Sequence, residues 1–403
     1  MGSNPASRAN RLLRPVAIPI QIVGAGIAGL ACAIACRQLG LPVRISERAD
    51  EPRPEGAGIQ LSPNAVRALH TLGLTPALRL HATEPTAIRL RSLASGASIA
   101  CLAAGAYFEK KYGQPTLTIH RAALQAALLA RAQALGISVR WGEGWSVDGL
   151  EGRAPHSAII GADGLWSAVR PLVPEAQVPR PTGQAAIRGL LHICPNPRSE
   201  MGKEITVWCG HGAHLVGYPL NRQESYGFVL IHPQLPTMES GWSSPVSRAC
   251  LGPVLADCYP MMRDFLGSVD DWRGWPLYAA DPLKGPAALC AGRVALIGDA
   301  GHAMRPHLAQ GAAMGLEDAL TIARCLADGD PGRPEAALSR YAALRWQRIR
   351  RVQQRAERNG RIFQLRGAMG HARNAVLRLL GPSLMDQPWL WGEGQEEPAF
   401  KAT

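Results

Sequence analysis

Residues 18–39 read Ile18-Pro-Ile-Gln-Ile-Val-Gly24-Ala-Gly-Ile-Ala-Gly29-Leu-Ala-Cys-Ala-Ile-Ala-Cys-Arg-Gln-Leu39, and this stretch decides the fold. The run from Ile18 to Val23 reads as a short buried strand, Ala25 to Leu39 as a helix, and Pro42 to Ser46 as a second strand. The turn between strand and helix carries Gly24-x-Gly26-x-x-Gly29. In such a turn the first glycine allows the tight bend, the second lets backbone approach a pyrophosphate, and the third lets helix and strand pack closely. The helix N-terminus adds free N–H groups and positive partial charge for the phosphates. Glu47 ends the second strand about 18 residues beyond Gly29, where a carboxylate accepts from ribose hydroxyls. An acid there repels a 2′-phosphate, so the site suits FAD or NAD over NADP. The plain alternative is a glycine-rich turn with an incidental acid.

Outward from this βαβ opening, Ser62-Pro63 reads as an N-cap with proline at the first helical position, starting a helix through Leu72. Arg121 to Leu135 is an Ala/Leu-rich helix ending at Gly136, and Ser157 to Ile160 a strand. Between about Pro174 and Pro282 the texture changes to more Pro, Trp and Tyr. Alternating runs there, such as Glu204-Ile-Thr-Val-Trp208 and Tyr226-Gly-Phe-Val-Leu-Ile231, predict an antiparallel sheet in a second domain. Val294 to Ile297 returns to a buried strand, Gly311 to Leu326 to a helix, and Tyr341 to Leu380 is largely helical. The expected class is α/β. Residues 17–75, 105–175 and 283–380 form a discontinuous Rossmann-like, glutathione-reductase-type dinucleotide domain ending in a C-terminal helical segment. Residues 76–104 and 176–282 form the second sheet, and 1–16 and 392–403 are flexible termini.

A chain of 403 residues exceeds what one compact core usually holds, which agrees with two domains. No apolar run reaches the roughly 18–20 residues that span a bilayer, and residues 1–16 lack the hydrophobic region of a secretory signal. The nine cysteines show no paired CxxC spacing, so neither a zinc site nor a disulfide framework is indicated, and a cytoplasmic location is expected. Cys32 and Cys36, one helical turn apart, read as small buried hydrophobes. The formal charge of +12 invites a nucleic-acid reading, but the arginines are spread along the chain without interleaved aromatics. Nucleic acid is therefore not an expected partner. The densest stretch, from Arg345 to Arg355, has helical spacing and reads as a solvated helix face; attraction of an anionic substrate or of NAD(P)H is the sharper alternative.

Two further motifs choose between FAD and NAD: Gly161-Ala-Asp-Gly-Leu-Trp-Ser-Ala-Val-Arg170, and Gly298-Asp-Ala-Gly-His-Ala-Met-Arg-Pro306 continuing through Gln310-Gly311 to Glu317-Asp318-Ala319. With these the chain resembles the class A flavoprotein aromatic hydroxylases, within them the branch of salicylate, 3-hydroxybenzoate and 6-hydroxynicotinate hydroxylases. The resemblance extends over most of the chain and includes Gly56-Ala-Gly-Ile-Gln60, Tyr112-Gly113, Ile119-His-Arg121 and Trp275-Pro-Leu277. The absence of a second dinucleotide fingerprint and of CxxC argues against a pyridine nucleotide–disulfide reductase.

The resemblance implies bound, non-covalent FAD, NADH or NADPH as co-substrate, and O2. Oxygen is delivered through a flavin C4a-hydroperoxide to a small aromatic or N-heteroaromatic, acidic or phenolic substrate, in a monomer or homodimer. The expected cofactor residues are Gly24, Gly26, Gly29, Glu47, Arg48, Gln60, Arg121, Asp163, Asp299, Gly311 and Ala312. Asp299 follows a buried strand and would accept from a ribityl hydroxyl. Gly311 and Ala312 open a helix whose dipole favours negative charge on reduced flavin. Arg121 would lie along the FAD chain, or form only a surface salt bridge; Asp163 would serve FAD and nicotinamide, or only cap its turn. In His214-Leu-Val-Gly-Tyr218 the i, i+4 spacing of a strand places both side chains on one face. His214 is the expected base or relay and Tyr218 a substrate hydrogen-bonder, with ordinary sheet residues as the alternative. Pro306 and His307 belong to the loop expected to face the flavin, His307 against a substrate carboxylate or ring nitrogen, or in a structural contact. His302 reads as structural. Gln60 stands where some hydroxynicotinate-type relatives carry a His, and Ala309 where the loop usually has Gly. A flavin monooxygenase of specialised metabolism acting on a larger substrate, and a non-catalytic FAD-binding sensor, remain the alternatives.

Overall fold

The computed structural model describes residues 19–52, 58–145, 158–192, 200–210, 212–233, 244–269 and 271–392. The expected flexible termini lie almost wholly outside the described residues, and so does Gly56. Strand β1 (Ile20–Val23) feeds helix α1 (Ile27–Gln38), which returns as β2 (Val43–Ser46), parallel to β1. The helix starts two residues later than Ala25 because Gly26 is its extended N-cap. Almost every side chain of α1 is buried, including Cys32 and Cys36, since the helix is clamped between the sheet and later helices. Leu30→Ala there would cost about 2–5 kcal/mol.

The chain continues as β3 (Gly58–Leu61), α2 (Pro63–Thr71), α3 (Thr75–His81), β4 (Ala87–Ser92), β5 (Ser98–Ala103) and α4 (Ala106–Tyr112). Next come β6 (Leu117–His120), α5 (Arg121–Ala134), β7 (Val139–Arg140) and β8 (Ile159–Gly161). Ser62 does precede α2, but its side chain makes no cap bond and donates instead to Asn64 Oδ1 at 2.6 Å. The second half holds β9 (Arg180–His192), β10 (Ile205–Cys209), β11 (His214–Leu220), β12 (Ser225–Pro233) and β13 (Ser244–Pro245). Helices α6 (Gly252–Ala256) and α7 (Pro260–Gly267) precede β14 (Arg273–Ala279), β15 (Cys290–Ala291) and β16 (Val294–Leu296). Helices α8 (Asp299–His302), α9 (Gly311–Ala327), α10 (Glu335–Phe363), α11 (Gly367–Met385) and α12 (Pro388–Trp391) complete it, so helix runs beyond Leu380.

The first sheet has the order β15-β16-β8-β1-β2-β7, parallel except for the short β15 edge. Its near-continuous apolar strands fit a sheet covered on both faces. The second sheet has eight strands in the order β13-β14-β9-β12-β11-β10-β4-β5. It is not wholly antiparallel, as the alternating runs suggested: β4 pairs with β10 in parallel. A parallel pair cannot be closed by a hairpin. The β4–β5 hairpin belongs to the early chain, and β10 joins it only after the chain has crossed to the first sheet and returned. Helix α11 lies across β5, so close that a Cβ on Gly381 would fall 2.4 Å from Ala100 Cβ.

The arginine-rich run on α10 is not a simple solvated face. Arg345 is buried, its Nε donating to Asp318 Oδ1 at 2.8 Å and its Nη1 to Glu317 Oε2 at 2.7 Å. Arg348 donates to both Glu317 oxygens, at 2.7 and 2.8 Å. Two adjacent carboxylates on α9 face these arginines, so the charge is compensated inside.

Candidate active site

The glycine turn forms a groove where β1 ends. Gly24 has φ +101°, and a Cβ there would strike the Ala162 carbonyl at 2.5 Å. Glu47 braces the turn: Oε2 accepts from the Ala25 N–H at 2.8 Å and Oε1 from the Ala49 N–H at 3.1 Å. Among the described residues no side chain caps α1, and a Cβ on Gly26 would meet nothing within 4 Å. Helix amides left unpaired by the helix itself therefore face open space that a single methyl would begin to fill. This cradle fits a pyrophosphate. Arg48 and Arg121 are exposed nearby in sequence to Glu47 and β6 respectively.

The second and third motifs are tied together by Arg170. Its buried guanidinium donates to the carbonyls of Ala300 (2.8 Å), Asp299 (3.1 Å), Gly164 (3.2 Å) and Leu165 (2.9 Å). Asp163 Oδ2 caps its own turn, accepting from the N–H groups of Ala168 (2.7 Å) and Val169 (3.3 Å). The Asp299 side chain is exposed toward the large cavity, which Gly311 and Ala312 at the start of α9 also line. His302 Nε2 lies 2.5 Å from Asp318 Oδ2, which also accepts from the Gly298 N–H at 3.1 Å. Burial opposes the Asp318 charge, but His302 and Arg345 outweigh it and hold its carboxyl below the usual range. Gln310 donates to Ser62 Oγ at 2.8 Å, and Asn64 donates to Gln310 and Glu317 at 3.1 and 2.7 Å. This network fixes the loop before α9, where Ala309 sits at φ +53° in the left-handed region. Sequence reading missed it, although Glu317-Asp318 set against Arg345 and Arg348 at helical spacing was a usable signal.

A cavity of about 860 Å³ lies between the second sheet and α9, α10 and α11. Pro306, His307, Gln60, His214 and Tyr218 all line it. The rings of His214 and His307 meet edge to face with centroids 5.0 Å apart. Both are buried, and among the described residues neither Nδ1 has a hydrogen-bond partner. Burial first, and the neighbouring His307 second, hold His214 well below the ordinary imidazole range. Burial and Arg305 lower His307 from 6.5 to about 4. At neutral pH both rings are uncharged and each offers a nitrogen lone pair. Tyr218 is also buried, and its hydroxyl donates to the Gly58 carbonyl at 3.0 Å, joining β11 to the strand that carries Gln60. The wall from α10, α11 and Trp391 was not anticipated from sequence.

A family model described as an FAD binding domain matches residues 17–231 and 286–356. The chain is 36% identical over 363 residues to 3-amino-4-hydroxybenzoate 2-monooxygenase of Streptomyces cremeus, covering 86% of this chain and 88% of that protein. It is 30% identical to 3-hydroxybenzoate 6-hydroxylase of Polaromonas naphthalenivorans, covering 94% and 96%. This chain belongs to the FAD-dependent aromatic hydroxylases. As a member it is an FAD-dependent monooxygenase, and the three sequence motifs all fall within the residues that the FAD binding domain model matches. Among solved structures, Klebsiella pneumoniae HpxO complexed with FAD and uric acid matches with a TM-score of 0.75 at 25% identity, covering 89% of this chain and 93% of that one. A salicylate hydroxylase substrate complex matches with a TM-score of 0.78 at 24% identity, covering 96% and 98%, and shares the fold. No described helix is long and apolar enough to cross a membrane.

Proposed function

We propose that this hydroxylase uses NADH or NADPH and O2 to hydroxylate a small aromatic or N-heteroaromatic substrate carrying an acidic or phenolic group. The observation that carries the reading is the uncharged His214–His307 pair in an apolar cavity beside the N-terminus of α9. Bound FAD supplies reduction by the nicotinamide and activation of oxygen. The chain's own residues do the rest. Gly24, Gly26 and Gly29 admit the pyrophosphate to the N-terminus of α1, and Glu47 offers its remaining lone pairs to ribose hydroxyls. Asp299 accepts from the ribityl chain, with Arg48, Gln60, Arg121 and Asp163 along the same groove. Gly311 and Ala312 would hold the flavin ring at the N-terminus of α9, whose dipole would favour negative charge there. The parallel strand order and the α1 crossover support a glutathione-reductase-type domain.

His214 takes the proton of a substrate hydroxyl, directly or through His307, which raises the electron density of the ring to be attacked. An apolar wall that excludes water preserves the activated oxygen. Tyr218 holds β3 against β11, and its oxygen retains lone pairs toward the cavity. Pro306 shapes the loop above. The relatives' names support an acidic phenolic ring: two act on an amino- or hydroxy-substituted benzoate. The test is a yellow purified protein in which an aromatic acid accelerates NAD(P)H oxidation with stoichiometric hydroxylated product. A colourless protein that FAD cannot reconstitute, or oxidation yielding only H2O2 with every acid, would sink it.

A further inference from the structure

The cavity has one-sided polarity. Away from His214 and Tyr218, its sheet wall is aliphatic, with Ile88, Leu90, Ile205, Val207, Val216 and Val229. The opposite wall is α10, which presents Arg355, Arg358 and Asn359 within a little over one turn. Positions three and four apart share a helix face, so these side chains project together. Asn359 donates to the His307 carbonyl at 3.4 Å, and the His307 ring packs where a Cβ on Gly360 would lie, 2.3 Å from its Cδ2. The arginine face thus adjoins the imidazole pair.

Arg355 Nε is shielded from solvent and has no hydrogen-bond partner among the described residues. A buried donor left unmade costs free energy and is rare in folded proteins. The other cavity arginines differ. Arg373 donates to the carbonyls of Ile362 and Phe363 at 3.0 and 2.8 Å, and Arg305 to Gln184 at 3.3 Å. Asp299 is the one carboxylate among the described lining residues, and it is assigned above to the cofactor.

We propose that Arg355 and Arg358 of α10 form the anion anchor of the substrate subsite, binding the carboxylate of an aromatic acid while the ring lies against the sheet and its hydroxyl reaches the His214–His307 pair. This rests on the hydroxylase reading and adds the residues that select an acid over its neutral counterpart. A guanidinium offers paired N–H donors that match a carboxylate, and Arg358 reinforces Arg355 by raising the positive potential at one point.

The test uses the FAD-loaded enzyme and follows the change in flavin absorbance on titration with 3-hydroxybenzoate, 3-hydroxybenzamide, salicylate and salicylamide. Wild type is expected to bind at least one acid about tenfold or more tighter than its amide, since a charge-assisted hydrogen bond is worth about 1.5–3 kcal/mol. R355M and R358M should each erase most of that preference while leaving FAD content and the KM for NAD(P)H unchanged, with R355K retaining part of it. Equal binding of acid and amide by wild type would overturn the anchor without any variant having to fold. A raised KM for NAD(P)H with unaltered acid binding would assign the arginines to the nucleotide and overturn it as well. No spectral response to any of the four probes, or to a wider panel of aromatic acids, would remove the acidic-substrate reading and the anchor together.

Discussion

His214 on β11 and His307 in the loop before α9 come from opposite walls, yet their rings meet edge to face at 5.0 Å, with neither Nδ1 partnered among the described residues. In the mechanism proposed above, these two neutral imidazoles would make a short path for a proton leaving a phenolic substrate. His214→Asn should lower hydroxylation about 100-fold, within the usual range for a lost acid–base group, with FAD content unchanged. Rapid-quench product measurement at saturating cofactor checks this. A rate within twofold of wild type would take His214 out of the proton path.

The same burial makes stability depend on pH. A free imidazole titrates near 6.5, while His307 in the native chain titrates at about 4. Below pH 6.5 the unfolded chain binds protons that the native chain refuses, so protons favour unfolding. The His307 contribution is whole above about 6.5 and is lost progressively as pH falls toward 4. The carboxyls of Glu317 and Asp318, both held below their ordinary range, add a loss in the same direction at still lower pH. Urea midpoints measured from pH 7.5 to 4.5 should fall, and His307→Asn should flatten the slope.

Gly26 and Gly29 separate cofactor binding from folding. A Cβ at Gly29 would sit 1.9 Å from the Gly24 carbonyl oxygen, whereas one at Gly26 meets nothing. Gly26→Ala should leave the melting temperature of the FAD-free protein within about a degree and abolish FAD retention on gel filtration. Gly29→Ala should lower both. FAD retained in full by Gly26→Ala would contradict the phosphate cradle.

Tyr218→Phe removes the bond to the Gly58 carbonyl, about 1 kcal/mol, and leaves that carbonyl without its donor. The expected result is a slightly lower urea midpoint, unchanged FAD content, and a larger fraction of consumed NAD(P)H appearing as H2O2. Peroxide assay alongside product analysis reads the coupling directly; coupling equal to wild type would free Tyr218 of any part in it.

Arg345→Met takes the shared guanidinium from two buried carboxylates, leaving Glu317 to Arg348 and Asn64 and Asp318 to His302 and the Gly298 N–H. Removing one member of a buried ion network costs about 3–5 kcal/mol. Denaturant unfolding should show a loss of that size, whereas Arg361→Met, at an exposed pair with Glu357, should change little.

The opening βαβ unit and the sites of the three motifs were legible because local rules govern them: a glycine turn, apolar strands and an acid at a strand end. The sheet around His214 and Tyr218 was readable as strands through its alternation. Its order was not, because the parallel β4–β10 pairing depends on contacts between residues more than a hundred positions apart. The burial of Arg345 was hidden for a similar reason. Helical spacing places arginines on a face, but only the packing of α9 on α10 reveals that carboxylates await them. Arg355 ends that same run and Arg358 follows it on the same helix, so one charge pattern serves both an internal brace and the cavity wall.

The hairpin of β4 and β5 has a consequence for biosynthesis. As the nascent chain leaves the ribosome, residues 87–103 emerge before their lateral neighbour β10, and the covering helix α11 follows later still. Until then an uncovered strand edge waits, the kind of surface that chaperones hold and proteases find. Removing the chain from Gly367 onward would leave β5 without its covering helix for good, even after β10 had paired with β4.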